Sequence, residues 1–127
     1  MAGPIVYISH FRIKEERGDE FWRMVDEVLP RLEAAKSRTV FQHFYADPSG
    51  RMISIIHIFG DAAAMDLHAE GGAARSQKAY EYLEPMAFEI YGQPTDSFLA
   101  TLSDVPEIDR LLRIEPDHRG GYSRFGG

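Results

Sequence analysis

RTVFQHFYADPSGRMISIIHIFG, residues 38–60, decides the fold. Two runs rich in β-branched and aromatic residues, 38–47 and 51–60, flank Asp47-Pro48-Ser49-Gly50. Asp-Pro followed by Ser-Gly is a strong turn signal, so the pair is expected as a β-hairpin. The second run is apolar on both faces, with Ile53, Ile55 and Phe59 on one and Met52, Ile56 and Ile58 on the other. Such a strand needs cover on both sides.

On the N-terminal side, PIVYISHFRI (4–13) alternates Ile5, Tyr7, Ser9, Phe11 and Ile13 against Val6, Ile8, His10 and Arg12. It is expected as a second strand with cover on both faces. GDEFWRMVDEVLPRLEAAKS (18–37) changes to helical spacing, with Phe21, Val25, Val28, Leu29, Leu32 and Ala35 on one stripe. Pro30 removes a backbone donor and is expected to kink or split that helix.

On the C-terminal side, Asp61 suits the N-cap of a short helix over 62–70, and Gly71 and Gly72 stop it. ARSQKAYEYLEP (74–85) places Ala79, Tyr82 and Leu83 on one side of a further helix, which Pro85 ends. MAFEIYGQP (86–94) is expected as the last strand, and TDSFLATL (95–102) as a short helix capped by Thr95 or Asp96.

The order β-α-β-β-α-β predicts an α+β, ferredoxin-like domain over residues 1–103: a four-stranded antiparallel sheet with its helices on one face. Residues 104–127 form a different kind of segment. EIDRLLRI has the pattern of one or two helical turns, and four of the last eight residues are glycine, which leaves little to pack. This tail is expected to wrap a partner subunit, to cover a pocket or to stay disordered. Helices cover one face of such a sheet, so the other apolar face is an association surface, and a homodimer closed sheet to sheet is the simplest cover.

Composition excludes several functions. The chain has 127 residues, a net charge of −6, and basic residues mixed with acids, as in KEERGDEFWR. A nucleic-acid binder would show a basic face. Without cysteine there is no disulfide, thiolate nucleophile or cysteine zinc site. The N-terminus enters a strand pattern directly, so neither a signal peptide nor a membrane span is expected and the cytoplasm is the default location. Ser9, Ser54 and Ser76 lie in no nucleophile-elbow context, and there is no glycine-rich phosphate loop.

The element order, IFGDAAAMDLHAEGGAARSQKAYEYLEPM and EIYGQPTDSFLATL resemble the dimeric α+β barrel superfamily, and within it the antibiotic-biosynthesis-monooxygenase-type domains. The resemblance covers roughly residues 4–102. It implies a ligand cavity between sheet and helices in each subunit. It also implies cofactor-independent oxidation of a phenolic or quinol-type small molecule, with a histidine near His68. The chain has no asparagine, whereas haem-degrading relatives use one together with histidine and tryptophan, so a close copy of those is not implied.

His68 is the candidate catalytic base or donor, because a neutral imidazole accepts protons near pH 7. The alternative is a partly exposed helix histidine that fixes the Glu-Gly-Gly turn. His10, Trp22, His57 and Tyr82 are candidate substrate contacts. Trp22 lies one step off the helix stripe, and Tyr82 falls on the apolar side of its expected helix. For His10, His43 and His57 the competing reading is a satisfied core or interface histidine. No histidine has a second histidine at i+2 or i+4, so no metal site is predicted, and the resemblance implies no cofactor. A non-catalytic ligand-binding or structural dimer, and an isomerase or cyclase that uses the histidine for proton transfer alone, stand as the alternatives to an oxygenase.

Overall fold

The computed structural model describes residues 3–124. Elements follow the order β1 (Ile5–Ile13), α1 (Gly18–Ala35), β2 (Thr39–Ala46), β3 (Met52–Phe59), α2 (Ala62–Ala69), α3 (Gly72–Ala79), β4 (Leu83–Tyr91), α4 (Asp96–Thr101), α5 (Ile108–Leu111) and β5 (Leu112–Glu115). The strands form one sheet in the order β2-β3-β1-β4-β5.

The hairpin at 47–50 forms as the turn signal requires. Asp47 Oδ1 accepts from Ser49 Oγ at 2.7 Å and from the Met52 amide at 3.2 Å, and Gly50 takes a left-handed φ of 75°. β1 lies between β3 and β4 and pairs antiparallel with both. Its odd residues Ile5, Ser9, Phe11 and Ile13 are buried, as are Ile53, His57, Phe59, Leu83, Phe88 and Ile90. Phe21 and Val25 from α1, Ala64 and Met65 from α2, and Phe98, Leu102 and Val105 complete this core. The opposite sheet face carries Val6, Ile8, Met52, Ile56 and Ile58, all half-buried.

Four expectations need correction. The sheet has five strands and is mixed, not four-stranded and antiparallel. β5 adds parallel to β4 with Leu112 beside Phe88 and Ile114 beside Ile90. It comes from the segment expected as a tail, and it covers an edge of β4 that would otherwise present unpaired backbone groups. Residues 125–127 of that segment lie outside the described residues.

α1 is not split at Pro30. It continues to Ala35, with Pro30 exposed, so the missing backbone donor falls on the solvent side. The helix after Gly72 ends at Ala79, and Tyr82 and Leu83 are not on it. Pro85 stands inside β4, where the register with β1 shifts between His10 and Phe11. A bulge is where a strand tolerates a residue with no backbone donor.

Candidate functional site

The chemistry-bearing side chains on the helix-covered face gather around α2. Asp61 starts that helix: its Oδ1 accepts from the Ala64 amide at 2.8 Å. Arg38 Nη2 donates to both carboxylate oxygens of Asp61, at 3.1 and 2.9 Å, and ties the helix start to the chain entering β2. The next turns deliver His68 over β2 and β3. Its Nδ1 shares a hydrogen bond of 2.7 Å with Thr39 Oγ1. Its ring stands 5.0 Å from that of His57, nearly perpendicular, and 5.4 Å from that of Phe59.

His57 is directly opposite Tyr7 in the β1–β3 register, and the two rings stack at 5.4 Å. Tyr7 also meets the edge of Phe98 at 5.3 Å. Nδ1 of His57 is buried with no hydrogen-bond partner among the described residues. Burial, and next the neighbouring His68, push the His57 pKa down to about 3. Burial, then the charges of Arg75 and Lys36, push His68 down to about 4. Burial, with Tyr80 second, drives the Tyr7 phenol above its ordinary value. All three groups are therefore uncharged at neutral pH. In the tautomer whose Nδ1–H donates to Thr39 Oγ1, the Nε2 of His68 is the proton acceptor; in the other tautomer the Thr39 hydroxyl donates to Nδ1.

The other expected site residues lie elsewhere. His10 occupies the opposite sheet face. Its Nδ1 meets Ser54 Oγ at 2.8 Å, and its Nε2 meets Glu89 Oε2 at 2.5 Å. Tyr91 donates to the other oxygen of Glu89 at 2.5 Å. These bonds, that from Tyr91 first, hold the Glu89 carboxyl below its usual range. Trp22 packs on Phe21 at 4.9 Å and Phe44 at 6.3 Å. Tyr82 stands 6.4 Å from Phe21 and under the Arg17 guanidinium at 4.7 Å. Trp22 and Tyr82 thus converge on Phe21, and His68 gathers only His57 among the expected residues. Of the two bland readings of His57, core and sheet interface, its covered face leaves the core.

Sequence reasoning did not single out Thr39, Lys36 or Arg75, and it placed Tyr7 only on one face of the first strand. The one signal available for Arg75 was its place just past a glycine-marked helix end, where cations find free carbonyls. Among the described residues no group of three or more histidine, aspartate or glutamate side chains is arranged to hold a metal ion. An open pocket of about 520 Å³ lies at the other end of α2, lined by Ile5, Ala62, Gly92 and Gln93 and by residues 116–119 of the C-terminal segment. None of the five expected site residues lines it.

Taken with this geometry, comparison with known proteins defines the class of fold. The chain shares its α+β fold with solved structures that include two proposed antibiotic biosynthesis monooxygenases. MupZ from Pseudomonas fluorescens superposes with a TM-score of 0.73 at 14% identity, over 98% of this chain and 91% of that one. A proposed antibiotic biosynthesis monooxygenase from Bacteroides thetaiotaomicron superposes with a TM-score of 0.58 at 16% identity, over 69% of this chain and 85% of that one. A possible oxidoreductase from the same species gives 0.60 at 12% identity, over 71% of this chain and 97% of that one. In sequence, a leucine–tRNA ligase from Amoebophilus asiaticus is 25% identical over 109 residues, 84% of this chain but 11% of the ligase. No family model matches. No helix among the described residues is long and apolar enough to cross a membrane.

Proposed function

We propose that this protein is a small-molecule enzyme in which His68 accepts a proton from its substrate, and that the reaction is cofactor-independent oxygenation of a phenolic or quinol-type molecule. The observation that carries this reading is the uncharged His68 imidazole, oriented by Thr39 and set against the ring of His57. A neutral imidazole held in one orientation can take a phenol's proton, at a driving-force cost set by its lowered pKa. The resulting phenolate is electron-rich enough to reduce molecular oxygen, and apolar walls such as Tyr7, Phe59 and Phe98 would keep water from the pair. The fold neighbours described as a monooxygenase and an oxidoreductase support the same reaction class.

In this reading the working unit is a cytoplasmic homodimer closed through the open sheet face. That face offers half-buried Val6, Ile8, Ile56 and Ile58. Light scattering at micromolar concentration should give twice the chain mass.

A second reading is proton transfer without oxygen, in an isomerase or cyclase that uses the same His68 imidazole. Oxygen uptake with anthrone and quinol substrates separates the two. Oxygenation predicts uptake that His68→Ala cuts by about 10²-fold or more. Conversion that proceeds equally under strict anaerobiosis selects the isomerase. A rate unchanged in His68→Ala removes His68 from either mechanism.

A further inference from the structure

The last turn of α2 poses an electrostatic problem. A helix C-terminus leaves carbonyls unpaired and carries partial negative charge, which favours a protonated histidine beside it. His68 sits in that turn, where a base must stay unprotonated. Two cations occupy the carbonyls instead. Lys36 Nζ donates to Leu67 O at 2.9 Å and to Glu70 O at 3.0 Å. Arg75 donates from Nη2 to His68 O at 2.6 Å and from Nη1 to Glu70 O at 3.0 Å. Neither cation forms an ion pair with a carboxylate among the described residues, so each brings a full positive charge to the end of the helix.

The other groups near the ring do not cancel that charge. His57 faces it from β3 and is itself neutral. Asp66, on α2, accepts from Thr95 at 2.8 Å. Asp61 is bound by Arg38 at the far end of the helix. The Glu70 side chain is exposed.

We propose that Lys36 and Arg75 form a charged clamp on the end of α2, positioning residues that keep the His68 imidazole unprotonated and disfavour substrates that bind as cations. This deepens the reading of His68 as a base. When a neutral acid such as a phenol, quinol or enol gives its proton to Nε2, the products are an imidazolium and an anion. The two cations disfavour the first and favour the second, so the two effects offset each other at the moment of transfer. A cationic acid such as an ammonium group would first have to bind against both positive charges. The clamp therefore discriminates by the charge of the bound acid rather than by shape.

The test is a ¹⁵N NMR titration of the His68 ring in the full chain, for the wild type, Lys36→Gln, Arg75→Gln, the double variant and Arg75→Lys. Glutamine keeps a donor for the carbonyls and removes the charge. Wild-type His68 is expected to titrate near pH 4. Each glutamine variant should titrate higher, and the double variant higher by about one pH unit or more. Arg75→Lys should stay with the wild type. A double variant whose α2 amides exchange like the wild type's, yet whose His68 titrates at the wild-type pH, overturns the proposal. If the double variant loses α2, equal midpoints for Arg75→Gln and Arg75→Lys overturn it alone. The titration needs no substrate, so its failure is distinct from a failure of His68→Ala to slow turnover.

Discussion

Acidification should destabilise this fold through His57. In the folded protein its ring is 7% exposed, packed against Tyr7, Phe59 and His68, and its pKa is pushed down to about 3. In the unfolded chain the same ring titrates near its ordinary value of about 6.5. Between those values the unfolded state binds a proton that the native state refuses, so stability falls as pH drops below about 6.5 and is regained as pH rises. Well below pH 6.5 each pH unit costs about 1.4 kcal/mol, and passing from pH 6.5 to 4.5, where the first half-unit titrates only partly, costs about 2 kcal/mol through His57. His68 acts with the same sign, but its ring is part-buried and solvent screening reduces its share. His57→Phe separates the two. Phenylalanine fits among the same aromatic rings and removes the unpaired, buried Nδ1, whose burial costs about 1–3 kcal/mol. The variant should be at least as stable as the wild type at pH 7 and should lose more than half of the slope between pH 6.5 and 4.5. Urea midpoints followed by Trp22 fluorescence at half-unit pH steps measure this. Parallel slopes for the two proteins would refute a neutral, buried His57.

Two further perturbations test the edge of the sheet. Gly92 has a φ of 119°, and an added Cβ would lie 2.9 Å from Ile5 Cγ1, so Gly92→Ala should cost about 1–3 kcal/mol in thermal or urea unfolding. An unchanged midpoint would mean that this turn relaxes freely. Truncation after Leu111 removes β5 and bares the β4 edge, so amides of 88–91 should exchange faster and light scattering should report larger assemblies than the full chain forms. A truncated chain with native exchange and native mass would show that β5 protects nothing.

Much of the fold was legible because its signals are local. Asp47-Pro48-Ser49-Gly50 marks the hairpin, Asp61 marks the start of α2, and the β-branched and aromatic run 4–13 marks β1. The misread elements depend on distant partners. Leu83 carries an apolar side chain at a spacing that suits a helix after Ala79, and it is a strand residue because Ile13 stands opposite it. LRIE continues an apparent helical pattern, and a four-residue run cannot state its own period. It becomes a strand because β4, paired along its length with β1 on one side, offers a free edge on the other.

The site divides along the same line. Punctuation exposed His68, between an acid cap and a glycine pair, whereas the two strand histidines needed parity and register together. His10 falls with Val6 and Ile8 on the face open to solvent; His57 falls with Ile53 and Phe59 beneath α2. Lys36 and Arg75 were invisible because sequence patterns mark charged side chains by the charges they pair with, and these two pair with backbone carbonyls. That choice of partner matters for the chemistry. A carboxylate beside either cation would cancel its charge and hydrogen-bond to it equally well. A carbonyl accepts the hydrogen bond and leaves the charge in place. A histidine at a helix C-terminus would ordinarily drift toward its protonated form. Here the side chains that close the helix also supply the field that opposes protonation, so capping α2 and keeping His68 unprotonated are one structural act.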